Sequence, residues 1–443
     1  MSHAIQSPRR VSFAHLTTAR LAVCLTALAA VPSLASAEDA PAAAETDAPL
    51  PVKSAAERTP IGGGKPGKLG RLGHQSDMDI GDADGGEERE GALVMQRWTL
   101  QPRALLMTQA ALLTGEDNQQ VRGDRMERTG FSLRRARLGF AGTYGQTTTF
   151  GVFADLAGLL AASGNSSMLS EAWVAMKPWT TGTVIVGAHR TPYSKSSMVS
   201  SAQLALAERA HGAIAMAPFR QVGVTVSGEY ELAGLEWHAG LYNAFERGAN
   251  FYSGVKEFSG LQGNTLGAPG GSPALLGVAR VSAAPLGDMG VDVADSQHGD
   301  LRLEVGVNAY YNNGGSTTST GMGADIHAKI KGVHVLLEWL SDASSPKDKP
   351  SSTTLIPADV GRQALIAEAG YQHKRFLVAA RAEMLDPNQE IDDDQDELLL
   401  SGSVGYATPG NRVRLLLQYD HRQEQNGVAV DNDTLFAHMQ LML

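Results

Sequence analysis

From Arg97 to Leu443 the chain repeats one pattern: apolar and polar residues alternate for about ten positions, break at a turn signal, and resume. Val333, Val335, Leu337 and Trp339 share one side of such a stretch, with His334 and Glu338 on the other. Phe376, Val378, Ala380 and Ala382 oppose Arg375, Arg381 and Glu383, and Val413, Leu415, Leu417 and Tyr419 oppose Arg412, Arg414, Gln418 and Asp420. A period of two sends successive side chains to opposite faces of a strand, so one face suits hydrocarbon and the other suits water.

A soluble β-sandwich also alternates, and the connections discriminate between the two. Short turns are expected at Tyr144 to Gln146, Trp179 to Thr181, Glu229 to Gly234, Lys331 to Gly332, His373 to Lys374 and Thr408 to Asn411, with a longer exception at Pro285 to Gly299. Loops of roughly eight to thirty residues lie between them. Short connections at every second position belong to one rim of a membrane barrel. The expected fold is all-β, a 16-stranded antiparallel transmembrane β-barrel, with its least sharply bounded strands between Leu241 and Gly299. The connection from Arg190 to Pro218, between the fifth and sixth strands, is the third long loop. Its Ala-rich stretch from Ala202 to Ala217 suits a helix. Its length allows an inward fold that narrows the lumen, against the simpler alternative of a loop lying over the rim.

The N-terminus adds a compartment. Arg9, Arg10 and Arg20, the apolar run Leu21 to Val31 and Ala35-Ser36-Ala37 form a secretory signal peptide over residues 1–37. A lipoprotein signal ending at Cys24 fits less well, because Val23 stands where a small residue is wanted. Residues 38–92, rich in Ala, Pro, Gly and acid, read as a disordered periplasmic extension, and residues 93–443 as the barrel. Asp77, Asp79, Asp82 and Asp84 lack the register of an EF-hand loop and read as a solvated acidic linker, as does Asp392-Asp393-Asp394-Gln395-Asp396 in an outer loop, where weak divalent-ion binding is the alternative. Cys24 is the only cysteine, which excludes a thiolate metal site after export, and no cofactor or metal is expected. No apolar run long enough for a transmembrane helix follows the signal.

Without the signal arginines, 34 basic residues stand against 47 acidic ones, a formal charge of −13 that argues against nucleic acid as a partner. The alternation places Arg103, Arg135, Arg137, Arg302, Lys329, Lys331, Arg375, Arg381, Arg412 and Arg414 inward. Asp155, Glu236, Glu304, Asp325, Glu338, Glu368, Glu383 and Asp420 face them. That near balance predicts at most a mild anion preference. Arg135 and Arg137 project to one side and suit either consecutive anion contacts or bracing of the wall by neighbouring carboxylates. Lys195 and Arg209 are constriction candidates, because their loop is the one able to enter the lumen. Trp98, Trp173, Trp179, Trp237 and Trp339 suit interfacial girdles or a subunit contact.

Several short blocks occur in series: Phe131-Ser-Leu-Arg-Arg-Ala-Arg-Leu-Gly-Phe140, Gly187-Ala-His-Arg-Thr-Pro-Tyr193, Ser200-Ser-Ala-Gln-Leu-Ala-Leu-Ala-Glu-Arg209, Arg220-Gln-Val-Gly223 and Gly240-Leu-Tyr-Asn243. On these the chain resembles the phosphate-selective porin O and P family. The resemblance implies a trimeric sixteen-stranded porin with an inward third loop and basic residues along an anion path. The chain departs from it in ending at Leu443 rather than an aromatic residue, and in carrying only Arg190, Lys195 and Arg209 as third-loop cations, with Glu208 beside the last. The expected function is passive diffusion of small hydrophilic solutes through the outer membrane, with small anions such as phosphate as the candidate preference. An outer-membrane hydrolase is the rival class, but the chain has neither G-x-S-x-G nor H-E-x-x-H, and His327 and His334 read as lumenal wall residues. An adhesin or autotransporter would carry a longer N-terminal passenger.

Overall fold

The computed structural model describes residues 93–95, 97–113, 129–157, 169–230, 234–245, 274–314, 317–347, 359–391, 396–425 and 432–443. The signal at 1–37, the extension at 38–92 with its four aspartates, and Asp392-Asp393-Asp394 lie outside the described residues.

Strand β1 (Leu93–Met95) pairs with the start of β2 (Trp98–Leu113). The chain then runs through β3 (Gly130–Tyr144), β4 (Thr148–Asp155), β5 (Leu169–Trp179), β6 (Gly182–Arg190), β7 (Arg220–Tyr230), β8 (Leu235–Asn243) and β9 (Leu275–Ala283). It continues through β10 (Arg302–Asn313), β11 (Thr317–Ile330), β12 (Val333–Pro346), β13 (Val360–His373) and β14 (Phe376–Asp386). The last strands are β15 (Glu397–Ala407), β16 (Val413–Glu424) and β17 (Thr434–Met442). Each pairs antiparallel with the next, and β17 returns to β2 over Thr434↔Leu113 to Met442↔Leu105. Strands β2 to β17 therefore close a ring of sixteen. Closure leaves no strand edge to be desolvated in lipid, where each unpaired backbone group costs several kcal/mol.

The sequence alternation is the alternation of burial. Along β16, Arg414, Leu416, Gln418 and Asp420 are buried, while Leu415, Leu417 and Tyr419 are exposed. In a barrel the buried face is the interior, so Arg414, Gln418 and Asp420 point inward together with Leu416, and Leu415, Leu417 and Tyr419 point outward.

The expected turns fall at one rim, and Lys331 and Gly332 both take the positive φ that a two-residue hairpin requires. Two connections differ from expectation. That between β10 and β11 spans only residues 314–316, well short of eight. In the third loop, Ala202 to Ala217 is not one helix: only Ser201–Gln203 and His211–Met216 are helical, because the backbone between them bonds to the wall instead. Aromatic rings crowd the outer face near the short-turn rim: Trp98 lies 4.6 Å from Tyr144 and 5.8 Å from Phe150 between ring centroids, and Phe376 6.1 Å from Tyr406. Trp179 and Tyr230 flank neighbouring turns. Amphipathic rings at this height suit a head-group boundary.

Candidate pore interior and third loop

Residues 191–219 leave the end of β6 and reach strands far around the ring. Two short helices form on the way, α1 (Lys195–Met198) and α2 (His211–Met216). Neither relies on its own sequence alone for its first N–H groups. The Ser194 hydroxyl accepts from Ser197 N at 3.2 Å, and Glu338 Oε2 on β12 accepts from Ser196 N at 3.1 Å. Helix α2 has no side-chain cap of its own, and Glu383 Oε2 on β14 accepts from Gly212 N at 3.0 Å. Carboxylates from the barrel wall thus satisfy helix ends in the loop, the favourable sign for a helix N-terminus.

The rest of the loop is tied by the same means. Arg190 Nη1 donates to the carbonyls of Ser197 and Val199, each at 2.6 Å, folding the loop back on its own root. Glu171 on β5 holds Arg220 at 3.0 Å across that root. Gln418 Oε1 accepts from Ala207 N at 2.7 Å, and Arg414 and Gln440 both donate to Ala202 O at 3.2 Å. Apolar side chains complete the seat: Ala210, Ala213 and Met216 belong to one buried cluster with Leu340, Ala364, Ile366 and Leu385 of the wall. Gly321 makes room for Tyr310, since a Cβ there would lie 2.2 Å from the Tyr310 ring, and Tyr310 meets Tyr193 of the loop edge-on at 5.0 Å.

Opposite signs gather on two sectors. Strands β2 to β4 carry Arg103, Arg134, Arg135 and Arg137 against Asp155 alone. Strands β10 to β12 carry Glu304, Asp325, Glu338 and Asp342, with Arg302 and Lys329 at the short-turn end. The third loop meets each sector with the complementary charge. Lys195 Nζ donates to both oxygens of Glu304 at 2.7 and 2.8 Å. Glu208 accepts from Arg134 Nε at 2.7 Å and Nη2 at 3.0 Å, and from Gln109 Nε2 at 2.6 Å. On the acidic side Arg280 of β9 clamps Asp325 with two bonds of 2.6 and 2.9 Å and reaches Glu304 at 3.3 Å, while Arg362 of β13 holds Asp342 at 2.8 Å.

The sequence candidates divide accordingly. Arg135 and Arg137 are buried inside the ring; Arg137 Nε binds Asp155 at 2.9 Å, and an Arg135 nitrogen lies 3.3 Å from Met107 Sδ. Arg103 is half-buried on the same wall, 3.4 Å from Gln101. Arg381 binds Glu383 at 2.6 Å and Glu368 at 3.4 Å, and donates to Glu208 O at 3.0 Å. Arg209 turns back within its own loop, donating to Ser196 O, with its guanidinium 5.4 Å from the Phe219 ring. Three assignments to the lumen are corrected. Lys331, Arg375 and Arg412 sit on turns, exposed at the short-turn rim, because the alternation stops where the strand does. Arg375 instead donates to the outward-facing Tyr406 hydroxyl at 2.9 Å.

Arg134 was invisible to a strict period of two, which sends it outward. The β2–β3 register shifts at Met107/Thr108, and this bulge brings Arg134 and Arg135 to the same side. Arg280 lies in the Gly-rich stretch whose strands were weakly bounded. Arg362 had a legible signal, since it shares a face with Glu368. Leu340, Ile366 and Leu416, apolar residues on an otherwise charged face, are where the loop seats.

His327 and His334 are buried inward; His327 Nε2 lies 3.1 Å from Val293 O and His334 3.5 Å from Glu368. No cluster of His, Cys, Asp and Glu able to hold a metal occurs among the described residues.

A closed sixteen-stranded ring, apolar outside and charged inside, has the architecture of outer-membrane porins. Residues 109–281 match the model of the family described as phosphate-selective porin O and P, the family its sequence blocks resemble. No curated protein matches the chain. Among solved structures it is similar to the anion-selective porin from Comamonas acidovorans, with 12% identity and a TM-score of 0.53 over 78% of this chain and 100% of that one. It is also similar to Salmonella typhi OmpF, with 10% identity and a TM-score of 0.49 over 80% of this chain and 100% of that one. The outer membrane channel DcaP of Acinetobacter baumannii gives 10% identity and a TM-score of 0.44 over 81% and 99%.

Proposed function

We propose that this porin carries small hydrophilic solutes across the outer membrane by passive diffusion, with a mild preference for anions, and that it does so as a trimer without catalytic chemistry of its own. The observation that carries the anion preference is the arginine-rich β2 to β4 wall facing the acidic β10 to β12 wall across the third loop. Between low-dielectric walls such a separation of charge is weakly screened, and a transiting anion is drawn toward this wall, where Arg103 and Arg134 are the partly exposed guanidiniums and the buried Arg135 and Arg137 act through their field. Conduction needs attraction strong enough to admit the ion and weak enough to release it. The ion pairs of Arg134 with Glu208 and Arg137 with Asp155 supply that moderation. Phosphate is the candidate solute that the family name suggests, and the bidentate geometry of arginine suits it. The trimer follows the family resemblance.

Reconstitution in a planar bilayer under a salt gradient tests this reading. Discrete channels with a reversal potential on the anion side, and current reduced by added phosphate, are expected. Cation preference without phosphate block would reject the anion assignment, and absence of channels would reject the porin assignment.

A further inference from the structure

We propose that the connection between β9 and β10, residues 284–301, is a second constriction element that enters the lumen from the short-turn rim and meets the third loop inside the barrel. This rests on the porin reading and adds to it a second selectivity determinant.

Its neighbours on the same rim, at 145–147, 180–181, 331–332 and 374–375, are two or three residues long and stay at the edge. This one is much longer, and Met289, Val293, Ala294 and Asp295 within it are at most 6% exposed. Val293 N donates to Gln203 O of the third loop at 3.0 Å, so two loops from opposite ends of the barrel are joined through their main chains. Val293 and Ala294 share an apolar cluster with Leu204 and Leu206 of the third loop and with Leu377 and Leu416 of the wall.

The wall is built to hold it. Lys329 Nζ donates to Met289 O at 2.6 Å and to Asp292 O, and the Val293 carbonyl lies beside His327 Nε2. Asn411, in the β15–β16 turn, donates to Asp292 Oδ1 at 2.9 Å. Since β10 and β16 stand far apart in the ring order, this segment straps across the mouth rather than lining one side. At its root Asp295 binds Arg302 and accepts from Gly332 N at 2.7 Å.

The segment also carries charge: Asp288, Asp292, Asp295 and Asp300, with no lysine or arginine. It covers Lys329 and Arg302, the cations at the short-turn end of β11 and β10. It therefore narrows the path and masks positive charge at that mouth, opposing the arginine wall beyond the third loop.

Replacing residues 286–298 by Asn-Gly tests this in bilayers. The expected result is a single-channel conductance raised roughly twofold, as the open section widens, together with a reversal potential shifted further toward anions. A deletion variant that forms channels with unchanged conductance and selectivity would overturn the proposal, whereas a wild-type protein without channels would overturn the porin reading instead. Should the deletion fail to fold, Gln203→Cys with Val293→Cys decides the contact, because a main-chain hydrogen bond holds the two positions within reach of a disulfide. Oxidative cross-linking read as a gel shift, reversed by reductant, is expected; no cross-link in folded protein would overturn the proposal.

Discussion

The two walls that flank the third loop handle charge differently. On the acidic side, strands β9 to β13 settle their carboxylates by cross-strand pairs: Arg280 with Asp325, Arg362 with Asp342, and Arg280 again with Glu304. On the basic side, β2 to β4 hold four arginines against one aspartate, and the partner for Arg134 comes from the loop as Glu208. The acidic wall is largely complete in itself and uses the loop for Lys195. The basic wall depends on the loop for a counter-charge. A loop carrying lysine toward acid and glutamate toward base has one favourable orientation, which is how a largely irregular segment is fixed inside a pore.

The largest effect should come from breaking the self-sufficient wall. Arg280→Ala leaves Asp325 buried without its clamp and is expected to destabilise the barrel by about 3–5 kcal/mol, the usual cost of removing one partner from a buried pair. Unfolding in denaturant measures it; a loss under 1 kcal/mol would mean that Asp325 is solvated. Next comes the outer face, where Val307→Arg should cost about 2–4 kcal/mol if it faces the bilayer core. Membrane insertion with unchanged stability would place that strand away from lipid. A smaller loss, about 1.5–3 kcal/mol, is expected for Arg134→Ala, which removes charge-assisted bonds to Glu208. Its diagnostic is functional: channel noise rises as the loop loosens, while the acidic wall is untouched. Arg375→Ala at the rim should cost at most about 1 kcal/mol and leave selectivity unchanged, as exposed interactions do; a shifted reversal potential would return that residue to the lumen.

pH sharpens the picture at the short-turn mouth. Desolvation pushes the Asp292 carboxyl up from its ordinary value, against the opposing pull of Lys329. A raised carboxyl takes up its proton earlier as pH falls, so this aspartate neutralises before ordinary carboxylates do, and folding is relatively favoured on the acid side of its transition. Mild acid should therefore move the reversal potential toward anions, and Asp292→Asn should remove that part of the titration.

Much of the ring was legible because one physical rule governs it. A wall with lipid on one side and water on the other must alternate, and Val333 to Trp339 or Val413 to Tyr419 do so except at the inward Leu336 and Leu416. The interior was less legible wherever that rule is suspended. The bulge at Met107/Thr108 brings Arg134 to the same side as Arg135. Lys331, Arg375 and Arg412 follow the numerical alternation past the end of the strand, where it no longer implies a face. Lys195 and Arg209 were constriction candidates on the reach of their loop alone, and no local spacing shows that Lys195 meets Glu304 or that Arg209 turns back on Ser196. The inward 284–301 segment was visible only as an anomalously long turn.

The exchange of the loop key tests the account most directly. Single-channel conductance would be compared for Lys195→Glu, Glu304→Lys and the two together. Each single change puts like charges face to face and should give larger, noisier channels, while the double change restores the loop-to-wall pair and returns conductance part of the way toward the wild-type value, because Arg280 then faces a lysine at 304. Single variants indistinguishable from wild type, or a double variant as disturbed as either, would contradict a third loop held across the lumen by opposite charges.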